Sequence, residues 1–391
     1  MQELLVRAQG LEEMLRGWRR HFHRYPELAF QEWETGRVVA RWLREFGLRV
    51  QEAVGLTGVV AELGEGGPVV ALRADMDALP IQEDSDLPYA SSVPGVMHAC
   101  GHDAHMAMLL GAACLLAQEP PRRGRVRFLF QPSEESVDAE GKSGARRMIE
   151  AGAMEEVEAV FALHVDANRP VGELRTRAGP FMAAVDPFWA QVRGKTSHGA
   201  RPHEGVDPIA IVAQVLNVLY AIPSRRISPL EPCIVSVGAL HAGSADNVIP
   251  GEVELRGTIR SFSPEVRERL WQEVERAFSL AQTLGGSYLL RIIPGHPVLE
   301  NAPLLVALLR AVAASLLQKP CAEDAPLETG SEDFAWLARA ACRGGAFAWL
   351  GARIEGDERT HHHPRFDIDE RCLPLGTAIL AGVAYRYLEE R

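Results

Sequence analysis

Basic side chains are outnumbered in this chain, and one kind is nearly missing. Lysine occurs three times, at Lys142, Lys195 and Lys319, so almost all positive charge is arginine. Against 41 Lys and Arg stand 52 Asp and Glu, a formal net charge of −11. Nucleic-acid binding needs a basic stripe, which this balance argues against. No apolar stretch reads as long enough to span a bilayer. The opening MQELLVRAQGLEEMLRGWRRHF reads as an amphipathic helix carrying acids, not as a basic start followed by the apolar block of a secretory leader. Cysteine is sparse as well. The six (Cys100, Cys114, Cys233, Cys321, Cys342, Cys372) have no framework spacing, which excludes a disulfide scaffold and reads as reduced thiols. Together these absences leave a soluble cytoplasmic chain with no nucleic-acid or membrane partner. Internal repeats and low-complexity tracts are missing too.

What is present is an ordinary globular composition, 47% hydrophobic and 24% charged, over 391 residues. That length suggests two domains, or one with a large insertion. PVVALRAD (68–75), RVRFLFQPSEE and AVFALHV (159–165) are short apolar runs that end in polar residues. Helical patterns precede and separate them, at 34–46 with Gly47 as C-cap before the first run and at 104–118 between the first and second. Cys114 falls in the second of these and reads as core. Strands alternating with helices predict an α/β fold with a mostly parallel sheet covered on both faces. Within 181–293 the order becomes β-α-β-β-α-β, the split βαβ, or ferredoxin-like, pattern. We therefore expect a discontinuous domain (1–180 and 294–391) interrupted by a smaller inserted one (181–293).

The polar residues fall just after the apolar runs: Asp75, then Glu134 and Glu135, then His164. In open α/β sheets the ligand site lies beyond the carboxyl ends of the strands, so distant segments converge on one crevice. The stretch VMHACGHDAHMAML (96–109) adds His98, Cys100, His102, Asp103 and His105. Cys100 and His102 are two apart, so extended backbone would point them the same way. Thiolate, imidazole and carboxylate are the usual donors to divalent transition metals. In extended backbone Glu134 and Glu135 point apart, so one can ligate while the other acts as general base, as metal-assisted hydrolysis requires. A structural zinc clip would need a second close pair such as Cys-x-x-Cys, and the sequence has none. The scattered donors favour a catalytic centre.

MHACGHDAHMAMLLGAA, ALRADMDALPIQE, FLFQPSEE, FALHV, GKTSHGARPHEGVDPI, NVIPGEVELRGTIRSF, GSEDF and HHPRFDIDE occur in this order. Together they closely resemble the aminoacylase/carboxypeptidase family of metallohydrolases, in its subgroup of hippurate hydrolases, N-acyl-amino-acid amidohydrolases and auxin-conjugate hydrolases. The resemblance covers nearly the whole chain. It implies a centre of two divalent metal ions (Zn, Mn, Co or Ni). Cys100 would bridge them, with His102, Glu135, His164 and His362 as further ligands and His361 and His363 as register alternatives. Glu134 would be the general base and Asp75 a carboxylate holding a ligand. Arg73 stands where many relatives carry a ligating histidine. In the inserted domain, which resembles a lid or dimerisation domain, His198 would stabilise the oxyanion. Asn247 and Arg260 would grip the substrate carboxylate. The implied partners are a small N-acyl amino acid or peptide-like substrate and a second copy of the chain, as homodimer or homotetramer through the inserted domain. Carboxypeptidase, dipeptidase or N-acetyl-amino-acid deacetylase activity remain alternatives, as does a non-catalytic metal-binding protein.

Overall fold

The computed structural model describes residues 1–317, 324–356 and 359–390; Lys319 and Cys321 lie outside them. The chain forms two compact units. One comprises Met1–Gly179, Glu300–Pro326 and Asp333–Arg391, the other Pro180–Leu299 and Leu327–Glu332.

In the first unit the sheet runs in the order Arg49–Val54, Gly58–Glu65, Gly124–Gln131, Val69–Asp75, Val157–Pro170, Gly345–Arg353. The first two strands form an antiparallel hairpin that joins Gly124–Gln131 antiparallel. From Gly124–Gln131 onward the neighbours are parallel. The sequence reading had no strands in the hairpin region. Val69–Asp75 is buried along its whole length, which is why it reads as a continuous apolar run rather than an alternating one. Helix His102–Gln118 is apolar all round and buried from His102 to Leu116. A Cβ on its Gly111 would stand 2.6 Å from Leu15 and 2.7 Å from Thr377, so glycine lets helices Glu12–Arg24 and Cys372–Glu389 approach it. The amphipathic N-terminus is two helices, Gln2–Gln9 and Glu12–Arg24, where one was expected.

The second unit has an antiparallel sheet in the order Cys233–Ala242, Glu252–Ser261, Ala184–Arg193, Ser287–Ile292. Helices Pro208–Arg225 and Pro264–Thr283 complete the β-α-β-β-α-β order. Helix Pro208–Arg225 corrects one expectation. By length and composition it is apolar enough to cross a membrane. It instead buries Ile211, Val212, Val215, Leu219 and Ile222 in this unit's own core with Leu255, Leu270 and Phe278. Asp207 caps its N-terminus by accepting from the Ile209 and Ala210 amides, and Pro208 occupies its first turn.

Candidate metal centre

Two strands of the first unit deliver carboxylates at their carboxyl ends, Asp75 and, just beyond Gln131, Glu134 and Glu135; His164 was expected at a strand end too but lies midway along Val157–Pro170, which continues past it. The CGHD segment does not run extended, as the Cys100–His102 spacing had suggested. Gly101 takes φ +95°, and helix His102–Gln118 starts at His102 itself. A Cβ at Gly101 would stand 2.3 Å from Val165, so both the positive φ and the close approach require glycine there. The tight turn nonetheless sets Cys100 and His102 facing one cluster. The Glu134–Glu135 pair is not extended either. Ser133 before it takes φ +44°, and donor atoms of both glutamates lie within 4.8 Å of one another and of His102. The two carboxylates converge rather than diverge.

Two triads of donor atoms, each within 4.8 Å, share one residue: Cys100, His102 and His164, and Cys100, Glu135 and His362. The histidines are prepared to ligate. His102 Nδ1 donates to the Asp77 carbonyl at 2.8 Å, and His164 Nδ1 to the Val165 carbonyl at 2.8 Å. Each Nε2 is then the ring nitrogen turned inward, the atom open to a metal ion. His102 Nε2 is buried without a hydrogen-bond partner among the described residues, and His164 Nε2 lies 3.4 Å from Cys100 Sγ. His362 Nε2 sits 3.0 Å from Glu135 Oε1. Its neighbours go elsewhere. His361 packs its ring on His164 and Phe366, and His363 Nδ1 accepts from the Arg365 amide.

The electrostatics call for cations. Burial, with Glu135, Glu134 and Asp75 around it, pushes the Cys100 thiol well above its usual range. Burial opposes the charge on His102, yet Asp75 and Asp77 lift it to about 10; the acidic surroundings that favour a proton on this ring equally favour a metal ion in its place. Burial together with His105 and His361 holds His164 well below its usual value, in the neutral form that ligates. A thiol and carboxylates crowded against inward-facing imidazoles are a donor set that fits divalent cations, with Cys100 common to both triads.

Asp75 Oδ1 accepts from His105 Nδ1 at 2.6 Å, and its Oδ2 lies 3.8 Å from His102 Nε2. Arg73 donates to Asp75 at 2.6 Å, to Gln131 at 2.9 Å and to Asp333 at 3.0 Å, all buried. It braces the carboxylates from behind. His105 Nε2 accepts from the Val165 amide at 2.9 Å, so both its nitrogens are used and it supports rather than ligates. The sequence reading missed Asp77. Its two oxygens accept from the backbone amides of Glu134 and Glu135, both at 3.0 Å, and one lies 3.3 Å from His102 Nδ1. The second aspartate of RADMD, two residues after Asp75, was the signal available.

The remaining site residues lie in the second unit. Ser197–His198 pairs with Val248–Ile249, and the Gly199 amide donates to the Asn247 carbonyl at 2.7 Å, which brings His198 and Asn247 together. His198 is exposed, and its Nδ1 accepts from the Ala200 amide. Arg260 lies on strand Glu252–Ser261 and donates to the Thr329 carbonyl at 2.8 Å.

Comparison with known proteins agrees with this chemistry. Residues 71–386 match the family described as Peptidase family M20/M25/M40. The chain is 40% identical over 388 residues to Thermostable carboxypeptidase 1 of Saccharolobus solfataricus, covering 97% of each chain. It is 40% identical over 377 residues to the N-acetylcysteine deacetylase of Bacillus subtilis, covering 95% of this chain and 96% of the other. Among solved structures, a dinuclear metal binding peptidase of Bacillus subtilis superposes with a TM-score of 0.84 at 37% identity, covering 97% of this chain and 99% of that one.

Proposed function

This chain belongs to peptidase family M20/M25/M40, whose members hydrolyse amide bonds, and on that premise we propose that it removes the acyl group from N-acyl amino acids. The observation that carries the reading is the pair of donor triads sharing Cys100, with a carboxylate, Glu134, beside them. The kinship to an N-acetylcysteine deacetylase supports an acylated amino acid as substrate. Kinship to a carboxypeptidase supports peptide hydrolysis as the second reading.

Cys100, His102, Glu135, His164 and His362 would hold two divalent cations in this reading; a thiolate in the donor set would favour zinc, cobalt or nickel over manganese. Bound there, the cations supply Lewis acidity for the acyl carbonyl and make a water acidic near neutral pH. Glu134 takes the proton of the attacking water and returns it to the leaving amine. Asp75 and Asp77 fix the orientation of the donors, Asp77 through the His102 ring and the glutamate backbone. In the second unit, His198 presents an Nε2–H to the oxyanion, because its Nδ1 is occupied as an acceptor. Asn247 and Arg260 hold the substrate carboxylate, a task suited to a guanidinium fork. Self-association through the second unit is supported by exposed Ile209, Val218 and Tyr220 on helix Pro208–Arg225 and by the edge strand Cys233–Ala242. The described cysteines are all free, which supports a reducing, cytoplasmic setting.

The test is a panel of hippurate, N-acetyl amino acids and dipeptides assayed on metal-loaded protein beside Glu134→Gln. Turnover of N-acyl amino acids above dipeptides, abolished in Glu134→Gln with metal retained, is expected. Preference for dipeptides supports the second reading, and wild-type turnover by Glu134→Gln removes the base assignment.

A further inference from the structure

We propose that Glu32 is a positioning residue for this reaction: its carboxylate fixes the turn at Ser133 and thereby aims Glu134 and Glu135. The inference rests on the assignment of Glu134 as base given above.

Three consecutive amides of the turn are taken by two buried carboxylates. Ser133 N–H donates to Glu32 Oε1 at 2.8 Å, and the Glu134 and Glu135 amides donate to the two oxygens of Asp77. Ser133 is not glycine, yet it holds φ +44°. Such a conformation is strained for a residue with a side chain and persists only where the surroundings over-determine it. The Ser133 carbonyl accepts from the Gly144 amide at 2.9 Å, and its hydroxyl donates to the Ser136 carbonyl at 3.0 Å. The amide of the strained residue itself is held by Glu32.

Glu32 is well placed to hold it. It is wholly buried, and it sits at the start of helix Trp33–Glu45, where its carbonyl accepts from the Gly36 amide. Its second carboxylate oxygen accepts from the Thr57 hydroxyl. No cation pairs with it among the described residues. A carboxylate buried without a counter-ion costs free energy, so packing alone does not account for it. Burial and the charge of Asp77 raise the Glu32 carboxyl to about 7, in keeping with that cost. Asp77 grips both the turn and the His102 ring, so replacing it would disturb ligand and turn together. Glu32 meets the turn only at the Ser133 amide, which makes its substitution the cleaner probe.

The experiment compares wild type, Glu32→Ala, Glu32→Gln and Glu134→Gln, all metal-loaded, for kcat and KM on hippurate and N-acetyl amino acids, for metal content and for Tm. Glu32→Ala is expected to lower kcat by about 10- to 100-fold, as misplacement of a reacting group by up to an ångström does, with KM and metal content little changed. Glu32→Gln keeps an oxygen acceptor for the Ser133 amide and is expected to restore most of the lost kcat. Wild-type kcat in Glu32→Ala with a lowered Tm overturns the proposal, because it describes a purely structural role. Glu32→Gln as slow as Glu32→Ala also overturns it, because charge and not the grip would then matter. If Glu32→Ala does not fold, Thr57→Val carries the test. It removes the hydroxyl that fixes Glu32 and is expected to lower kcat about three-fold at unchanged KM, a smaller misplacement of the same kind. Wild-type kcat there overturns the proposal. An inactive Glu134→Gln beside a fully active Glu32→Ala removes the positioning role alone, whereas a fully active Glu134→Gln removes the base assignment and this inference with it.

Discussion

The two units bury charge in opposite ways. In the second, the buried carboxylates Asp186 and Glu273 have cations of their own. Asp186 receives Arg267 and the Trp271 indole, and Glu273 receives Arg226 and Arg276. The rest of its core is Val, Leu, Ile, Phe and Ala. In the first unit Arg73 stands at a strand end among Asp75, Gln131 and Asp333, and Arg19, on helix Glu12–Arg24, among Asp103, Asp367 and Glu370. Beside them stands His102, whose inward Nε2 finds no hydrogen-bond partner among the described residues. Buried charges that are paired serve the fold. Donors held by partners behind them, with their inward atoms unsatisfied, are kept for a ligand from outside.

That contrast can be broken by substitution. The largest effect is expected at the centre: Glu134→Gln should lower kcat by about 10³-fold or more, within the scale of losing general-base and charge-stabilising roles together, while metal analysis and Tm stay near wild type. Arg73→Leu leaves Asp75 and Asp333 buried without their cation, and denaturant unfolding should show a loss of about 3–5 kcal/mol together with weakened metal retention. Leu270→Ala, in the apolar core of the second unit, should cost about 2–5 kcal/mol in the same measurement but leave metal content unchanged.

A pH series sharpens the comparison without mutation. Burial opposes charge on His23, but hydrogen bonds to Asp103 and Glu83 raise it to about 9. Unfolded histidine titrates near 6.5. The folded state therefore holds this proton more tightly. The stabilisation is complete below about pH 6.5 and is lost as pH rises through about 9, a few kcal/mol at most. Unfolding free energy measured across that window should fall with pH, and His23→Gln should flatten the slope. The smallest effect is expected from Arg226→Ala in the second unit. Its partner Glu273 is buried, but the Arg226 side chain is 49% exposed and solvent screens the pair, so the loss should be small, well below that of Leu270→Ala.

Much of this was legible in the sequence because the signals are short-range. Apolar runs ending at Asp75 and just before Glu134 mark strand ends, although the run ending at His164 does not, its strand continuing to Pro170, and the β-α-β-β-α-β order follows from periodicity. What escaped depends on contacts between distant segments. The turn at Gly101 is set by Val165 pressing against it, and the turn at Ser133 is held by Glu32 and Asp77. Neither is written in the local residues, so both were read as extended. His361, His362 and His363 are adjacent and chemically alike. Only the backbone, with His362 at φ +61° and its amide donating to the Ala99 carbonyl, turns that ring toward Glu135. The hairpin Arg49–Val54 and Gly58–Glu65 went unread because its first strand is largely exposed and charged, with little apolar alternation.

The central claim is that Cys100 joins two cation positions. Anomalous diffraction from crystals of the zinc-loaded protein tests it directly. The account predicts two peaks per chain, both within about 2.3 Å of Cys100 Sγ, one with His102 or His164 and the other with Glu135 or His362 at bonding distance. A single peak, or two peaks that leave the Cys100 sulfur unbonded, would contradict it.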